Sequence, residues 1–301
     1  MRRNRRHLAL LGAAPATIGS LLIAPAASAG IITPESGGSP NADHIAGLYN
    51  ITLYIAIVIF VLVEGALLYA CFKFRARKGA AAAQIHGNTN LELGWTVGAA
   101  VVLFVLAVIT FVQLNTIRTP PNSGPNGYGL ASSSAGGVLY ATTERELPPN
   151  GRSLNIKVNG QQYLWRYTYP GGSRADGLDN PYAYEEMVVP TNTTVTLDIN
   201  AQDVVHSWWI PQLGGKFQAV PGYTNHTWFK ISKPGIYGGQ CAFLCGRNHA
   251  RMIADVRAVA PAQFEAWLAQ RKADIAAANS AAQASRTRLN SKTGPQSVQN
   301  P

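Results

Sequence analysis

Apolar and polar positions along this chain keep different rhythms in different stretches. In GLYNITLYIAIVIFVLVEGALLYACF (Gly47 to Phe72) and GWTVGAAVVLFVLAVITFVQL (Gly94 to Leu114) the apolar residues are almost continuous, with Glu64 as the one acid. Each run reaches the roughly 20 residues that cross a bilayer as a helix. From about residue 151 the pieces shorten. SLNIKVNG, QYLWRYTY, EMVVP, TVTLDIN, HSWWIP, HTWFKIS and ADVRAVA are β-branched and aromatic, and Gly, Pro and Asn separate them. That texture predicts an all-β sandwich or barrel, antiparallel, of about seven or more strands. Residues 262–281 read as a helix, and the polar tail after Ala282 reads as disordered. The expected divisions are a transmembrane hairpin over 44–115, a Pro/Gly/Ser/Asn-rich linker over 116–150, a β domain over 151–270, and a helix end with polar tail over 271–301.

The start, MRRNRRHLALLGAAPATIGSLLIAPAASAG, has a basic head, an apolar stretch to Ile23 and the small-residue ending Ala27-Ser28-Ala29. It reads as a signal peptide over residues 1–29, cleaved after Ala29. Lys73, Arg75, Arg77 and Lys78 follow the first span. Basic loops stay cytoplasmic, so the hairpin loop is expected inside and the β domain on the periplasmic or equivalent face of the cell membrane. Composition adds one exclusion. The 301 residues carry 25 Lys+Arg against 15 Asp+Glu, a net charge of +10 that by itself would suggest nucleic acid. The clusters at Arg2, Arg3, Arg5 and Arg6 and after the first span are topology signals instead, so no nucleic-acid partner is expected.

Chemistry concentrates in CAFLCGRNHARM, which supplies Cys241, Cys245, His249 and Met252. Soft sulfur and imidazole ligands select copper or zinc over magnesium or calcium. The thioether discriminates further, since copper electron-transfer sites use methionine. The chain has only 3 Met, so Met252 at this spacing is a poor candidate for accident. A second imidazole, His206, precedes the loop in DVVHSWWIP. The competing reading makes Cys241 and Cys245 a disulfide. His226 reads as structural, Cys71 as a packing residue, and His44 and His86 are assigned no metal. A single blue-copper centre needs one thiolate, so two cysteines argue for two copper ions, bridged by the thiolates and closed to substrate.

At this point the chain resembles subunit II of cytochrome c oxidase, the haem-copper respiratory oxidase. The resemblance covers about 44–270 and rests on HGNTNLELGWT, GQQYLWRYTY, DVVHSWWIPQLGGK with its following VPG, and above all CAFLCGRNHARM. It implies a cupredoxin-like domain whose binuclear copper A ligands are His206, Cys241, the backbone carbonyl of Phe243, Cys245, His249 and Met252. It further implies that electrons from cytochrome c arrive at Tyr163 and Trp165, and that Glu92 stands at the mouth of a proton path into subunit I. The implied partners are subunit I, the other oxidase subunits and cytochrome c. Oxygen reduction and proton pumping would lie in subunit I.

Three positions depart from the family. Phe243 stands where the family has a Glu that reaches magnesium at the subunit boundary, Gln218 replaces an Asp, and Tyr163 aligns with the Trp that receives electrons. A weakened or absent magnesium site follows from the first two. Competing classes are less well served: quinol oxidase subunits II lack copper ligands, and nitrous-oxide reductase needs a long propeller. A copper chaperone would not need the anchor and closed ligand set, whereas a copper A-bearing nitric-oxide reductase subunit looks similar. Between residues 140 and 270 there are ten acids and eleven bases, so a strongly acidic surface that steers a basic cytochrome c is not supported by the total.

Overall fold

The computed structural model describes residues 32–76, 79, 84, 86–124, 141–142, 146–172, 174, 177 and 179–292. The expected signal peptide and its cleavage site, Arg77 and Lys78, most of the linker, and the tail beyond Lys292 lie outside them.

Two long helices come first, α1 (Pro40–Lys73) and α2 (Thr89–Arg118). At about 1.5 Å per residue they are about 50 and 45 Å long, well over the roughly 30 Å of a hydrocarbon core. Their central apolar windows are not buried against the rest of the protein. Phe60, Leu62, Leu103 and Phe104 instead point outward, as lipid-facing side chains do. Both helices outrun the spans read from hydropathy, because their ends are set by capping and by packing on the β domain. Pro40 occupies the first turn of α1, where a missing N–H costs nothing. At the start of α2 the Asn88 side chain accepts the Leu91 N–H at 3.2 Å.

Among the described residues, eleven strands form two sheets. They are β1 (Ala141–Thr142), β2 (Leu154–Gln161), β3 (Leu164–Thr168), β4 (Tyr182–Tyr184), β5 (Glu186–Pro190), β6 (Thr194–Ala201), β7 (His206–Trp209), β8 (Phe217–Ala219), β9 (Tyr223–Lys230), β10 (Gly235–Cys241) and β11 (Ile253–Val259). One sheet runs β1-β9-β6-β2-β3-β4 and the other β5-β11-β10-β7-β8. The pairing is mixed rather than purely antiparallel: β2 with β6, β5 with β11 and β1 with β9 are parallel. Alternation on β3 buries Trp165 and Tyr167 between the sheets, beside Ile156, Leu197, Phe229 and Val256. Each such side chain contributes about 1.5–3 kcal/mol when fully buried.

A final helix, α3 (Pro261–Lys292), packs Phe264 and Trp267 against Tyr169. It continues eleven residues past the expected helix end at 281, so that part of the expected tail is helical. Its Ala-rich composition favours helix even where the surface is fully exposed. Strand β10 is absent from the strands read from sequence because GIYGGQC lacks their texture. Its Gly239 is required by packing: a Cβ there would strike the Trp209 carbonyl and Ile210.

Candidate metal centre

The site lies at one end of the sandwich. Strand β10 ends at Cys241, and its register pairs Cys241 with Trp208 on β7, two residues after His206. Strand β11 begins just after Met252, whose carbonyl accepts the Cys241 N–H at 2.9 Å. The chain between, Ala242–Arg251, is a loop that closes with a 3-10 turn over His249–Arg251. Two short strands therefore bring His206 to a loop that already carries the other donors.

The donor atoms converge. Cys241 Sγ lies 3.9 Å from His206 Nδ1, 3.9 Å from Cys245 Sγ and 3.3 Å from the Phe243 carbonyl oxygen. Cys245 Sγ lies 3.6 Å from His249 Nδ1 and 3.9 Å from Met252 Sδ. Bonds of about 2.3 Å to sulfur and about 2.0 Å to nitrogen, at near-tetrahedral angles, put neighbouring donors about 3.5–3.8 Å apart. The spacings match those around a bound transition metal. A disulfide does not fit: both thiols are free, at nearly twice the bonded S–S distance of about 2.05 Å. His206, Cys241, Cys245 and Met252 are buried, while His249 is half-buried and forms the exposed edge of the cluster.

Electrostatics prepare the thiols unequally. Burial pushes the Cys241 thiol up, but hydrogen bonds from His206, the Ser207 and Phe243 backbones and His249 overcome it and bring it down to about 6. Burial and the Cys241 charge together push Cys245 the other way. The first proton thus leaves the pair easily and the second is retained, as coupled neighbours require. Burial pushes His206 down, yet Cys241 on one side and Asp203 on the other lift it above its ordinary value.

Asp203 was not singled out from sequence. Its Oδ1 lies 3.0 Å from His206 Nε2, which leaves Nδ1 facing the cysteines. A carboxylate that orients a ligating imidazole is a recurrent second partner of metal sites, and its position three residues before His206 in DVVH was the available signal. Gln162 was also missed. Its Nε2 donates to the Cys245 carbonyl at 2.6 Å, while the Tyr163 hydroxyl accepts the Arg247 N–H at 3.1 Å. The β2–β3 turn therefore holds the metal loop by two hydrogen bonds.

The remaining expected residues fall at varied distances from the cluster. Tyr163 is half-buried at the loop surface. Trp165 is fully buried, with its indole N–H unpaired among the described residues and its ring edge-on to His206 at 5.8 Å between centroids. Glu92 sits at the start of α2, where its Oε1 accepts the Asn88 N–H at 3.3 Å and completes a reciprocal cap. Phe243 turns a 44% exposed ring outward, and Gln218 is exposed on β8. Neither offers the carboxylate oxygen that magnesium favours, so these two positions do not fit that ion. His226 pairs with Asp198 at 2.8 Å on β9 and β6, away from the cluster.

A cupredoxin-like domain that closes sulfur and imidazole donors around a metal, carried on two membrane-capable helices, defines a membrane-anchored redox-metal protein. Comparison with known proteins gives the family. Residues 27–112 match the family described as cytochrome C oxidase subunit II, transmembrane domain, and residues 178–259 match its periplasmic domain. A probable cytochrome c oxidase subunit 2 of Rickettsia bellii is 31% identical, over 77% of this chain and 81% of that protein. The cytochrome c oxidase subunit 2 of Cereibacter sphaeroides is 30% identical, over 88% and 92%. The crystal structure of the periplasmic domain of subunit II from Bradyrhizobium japonicum is 33% identical, with TM-score 0.37 over 40% of this chain and 95% of that one. The chain belongs to the cytochrome c oxidase subunit II family. It is a membrane subunit of a haem-copper oxidase, and copper binding is implied by the family.

Proposed function

We propose that this chain receives electrons from a c-type cytochrome outside the membrane and delivers them to subunit I. The observation that carries the proposal is the convergence of five side-chain donors and one carbonyl in a single cluster, four of whose side chains are buried. Two copper ions held by His206, Cys241, Cys245, His249, Met252 and the Phe243 carbonyl would supply a one-electron couple. The protein's part is to hold these donors still and dry. Buried Cys241, Cys245 and Met252 exclude water, Asp203 fixes the His206 tautomer, and Gln162 and Tyr163 fasten the loop. Such prior fixing keeps rearrangement small when an electron arrives. No open coordination position is left for a substrate, which suits transfer rather than catalysis at this centre.

Tyr163 offers an amphipathic ring at the surface of the loop for the donor to meet, with Trp165 behind it against His206. Glu92 marks the far end of α2, where a carboxylate facing subunit I would admit protons; its cap to Asn88 is compatible with that second role. At residue 243 the chain offers no carboxylate to magnesium.

Copper-loaded full-length protein in detergent tests the reading. Two copper ions per chain and thiolate-to-copper absorption in the visible are expected, with Cys241→Ser lowering the stoichiometry. A colourless chain with one zinc ion refutes it. Tyr163→Ala should slow reduction by the donor, and unchanged donor-limited rates would move the contact elsewhere.

A further inference from the structure

The His206 ring is seated by residues that offer no metal donor of their own. Alternation on β2 turns Leu154, Ile156 and Val158 into the core, and Gly160 takes the next inward place. A period of two calls for another apolar side chain there, and glycine supplies none. Gly160 pairs in register with Trp165 on β3 and with Ala201 on β6. Residues directly opposite one another share a face, so Trp165, Gly160 and Ala201 form one row across the inner side of the sheet. That row is a notch with a single wall, the indole.

His206, on β7 of the facing sheet, fills the notch. A Cβ on Gly160 would lie 3.0 Å from His206 Cδ2, 3.2 Å from His206 Cγ and 3.1 Å from Trp165 Cζ3. Trp165 stands edge-on to the imidazole, 5.8 Å between centroids. At the ring's other positions Asp203 Oδ1 meets Nε2 at 3.0 Å and Cys241 Sγ lies 3.9 Å from Nδ1. The imidazole is therefore held at both nitrogens and along its Cγ–Cδ2 bond. His206 and Trp165 are both fully buried, so no solvent shares in that hold.

We infer that Gly160 and Trp165 are positioning residues for the His206 imidazole: the glycine admits the ring to the notch, the indole stops it tilting, and together they aim Nδ1 at Cys241. The inference rests on the reading of His206 as a copper ligand. A place in the core explains the burial of Trp165 by itself. It does not explain a glycine at an inward strand position, where the sheet loses a packed side chain unless another group approaches closely. Partners that orient a ligating imidazole change metal affinity by about 10- to 100-fold. Imidazole donation supports the more positive, oxidised state of a copper centre more than the reduced one. A ring turned off its direction therefore shifts the centre towards the reduced state.

The test uses full-length chain loaded with copper in detergent, with Gly160→Ala, Trp165→Phe and the double variant. Gly160→Ala should lower copper affinity about 10- to 100-fold against a competing chelator and, at a fixed applied potential, raise the reduced-to-oxidised ratio at least about threefold. Pulsed electron resonance should show the nitrogen coupling of one imidazole shifted and that of the other unchanged, a signature that general loosening of the domain does not produce. Trp165→Phe should shift the coupling of the same imidazole. It also removes Cζ3, one of the atoms the added methyl would strike, so Gly160→Ala should cost less affinity in that background than in the parent. Thermal unfolding of the metal-free variants is recorded, so a folding defect is seen separately. If Gly160→Ala alone does not fold, the couplings of Trp165→Phe and of the double variant decide. Weaker copper binding with both couplings and the ratio unchanged is a packing defect and overturns the inference. Trp165→Phe that slows reduction by the donor while moving neither reading makes the indole a conduit, and overturns its positioning role. A parent chain that binds no copper pair removes the reading of His206 as a ligand, and the inference with it.

Discussion

Gly246→Ala should loosen the metal loop more than its size suggests. Gly246 follows Cys245 at φ +133°, in the region that favours glycine. A Cβ there would lie 2.7 Å from the Tyr163 hydroxyl oxygen and 2.9 Å from Gln162 Nε2. These are the two atoms by which the β2–β3 turn grips the loop, through the Arg247 N–H and the Cys245 carbonyl. The backbone strain costs about 1–3 kcal/mol, and losing one of the two hydrogen bonds adds about 0.5–1.5 kcal/mol. A central value of about 3 kcal/mol, spent where the ligands are held, corresponds to about a hundredfold loss of metal affinity at 1.4 kcal/mol per tenfold. Competition for copper against a chelator of known affinity, on the full-length chain, measures it. Gly238→Ala is the control, on β10, where an added Cβ would meet only Asp255 Oδ1 at an ordinary 3.5 Å. A Gly246→Ala affinity within threefold of that control would show that the turn does not hold the loop.

Three further outcomes follow from the same geometry. Asp203→Ala should weaken copper binding about 10- to 100-fold, while Asp203→Asn, which retains an oxygen, should lose less; equal losses in both would place the effect outside the His206 contact. In the metal-free protein the lowered Cys241 pKa contributes stability that is present above the unfolded thiol value of about 8.5 and is lost as pH falls through about 6. Thermal unfolding of metal-free protein between pH 9 and 6 should show this slope, and Cys241→Ser should flatten it; an unaltered slope refutes the assignment. In the assembled complex, manganese should give no stoichiometric six-oxygen magnetic-resonance signal at the boundary by residue 243, and such a signal would show that other residues supply the ligands.

The parts of this protein that were readable from sequence are those whose determinants lie close together in the chain. The hairpin needs only two apolar runs, and four of the side-chain donors fall between Cys241 and Met252. The alternation of β3 announces its buried face without reference to any partner. What escaped was set by distant contacts. Strand β10 is glycine-rich because Trp209 and Ile210 crowd it, and nothing in GIYGGQC says so. The parallel pairing of β2 with β6 joins residues about forty positions apart. The grip of Gln162 on the Cys245 carbonyl spans 83 positions, so neither residue advertises the other. Asp203 was readable in principle, as a carboxylate three residues before a histidine expected to ligate metal.

The helices and the metal domain are joined by more than their connecting chain. Ser39 Oγ accepts the Lys230 N–H at 3.0 Å and donates to Asn41 Oδ1 at 2.6 Å, while Asn41 Nδ2 donates to the Trp228 carbonyl at 2.9 Å. The Trp228 indole N–H reaches the Ile117 and Arg118 carbonyls, at 3.1 and 2.8 Å, and so closes the open end of α2. Ser39 and Asn41 are buried, so breaking this clasp would leave polar groups unpaired, at about 1–3 kcal/mol each. Glycine completes the fit: a Cβ on Gly214 would come within 2.8 Å of the Asn41 amide, and one on Gly38 would strike the Gln212 carbonyl. Both helices are thus tied to β9, and β9 pairs with β6, which lies beside β2 and its Gln162–Tyr163 turn. The same continuous hydrogen-bonded sheet therefore links the membrane anchor to the turn that grips the metal loop. A subunit that passes electrons to a partner in the membrane needs its metal held at a fixed distance from that partner, and a floppy tether could not supply it.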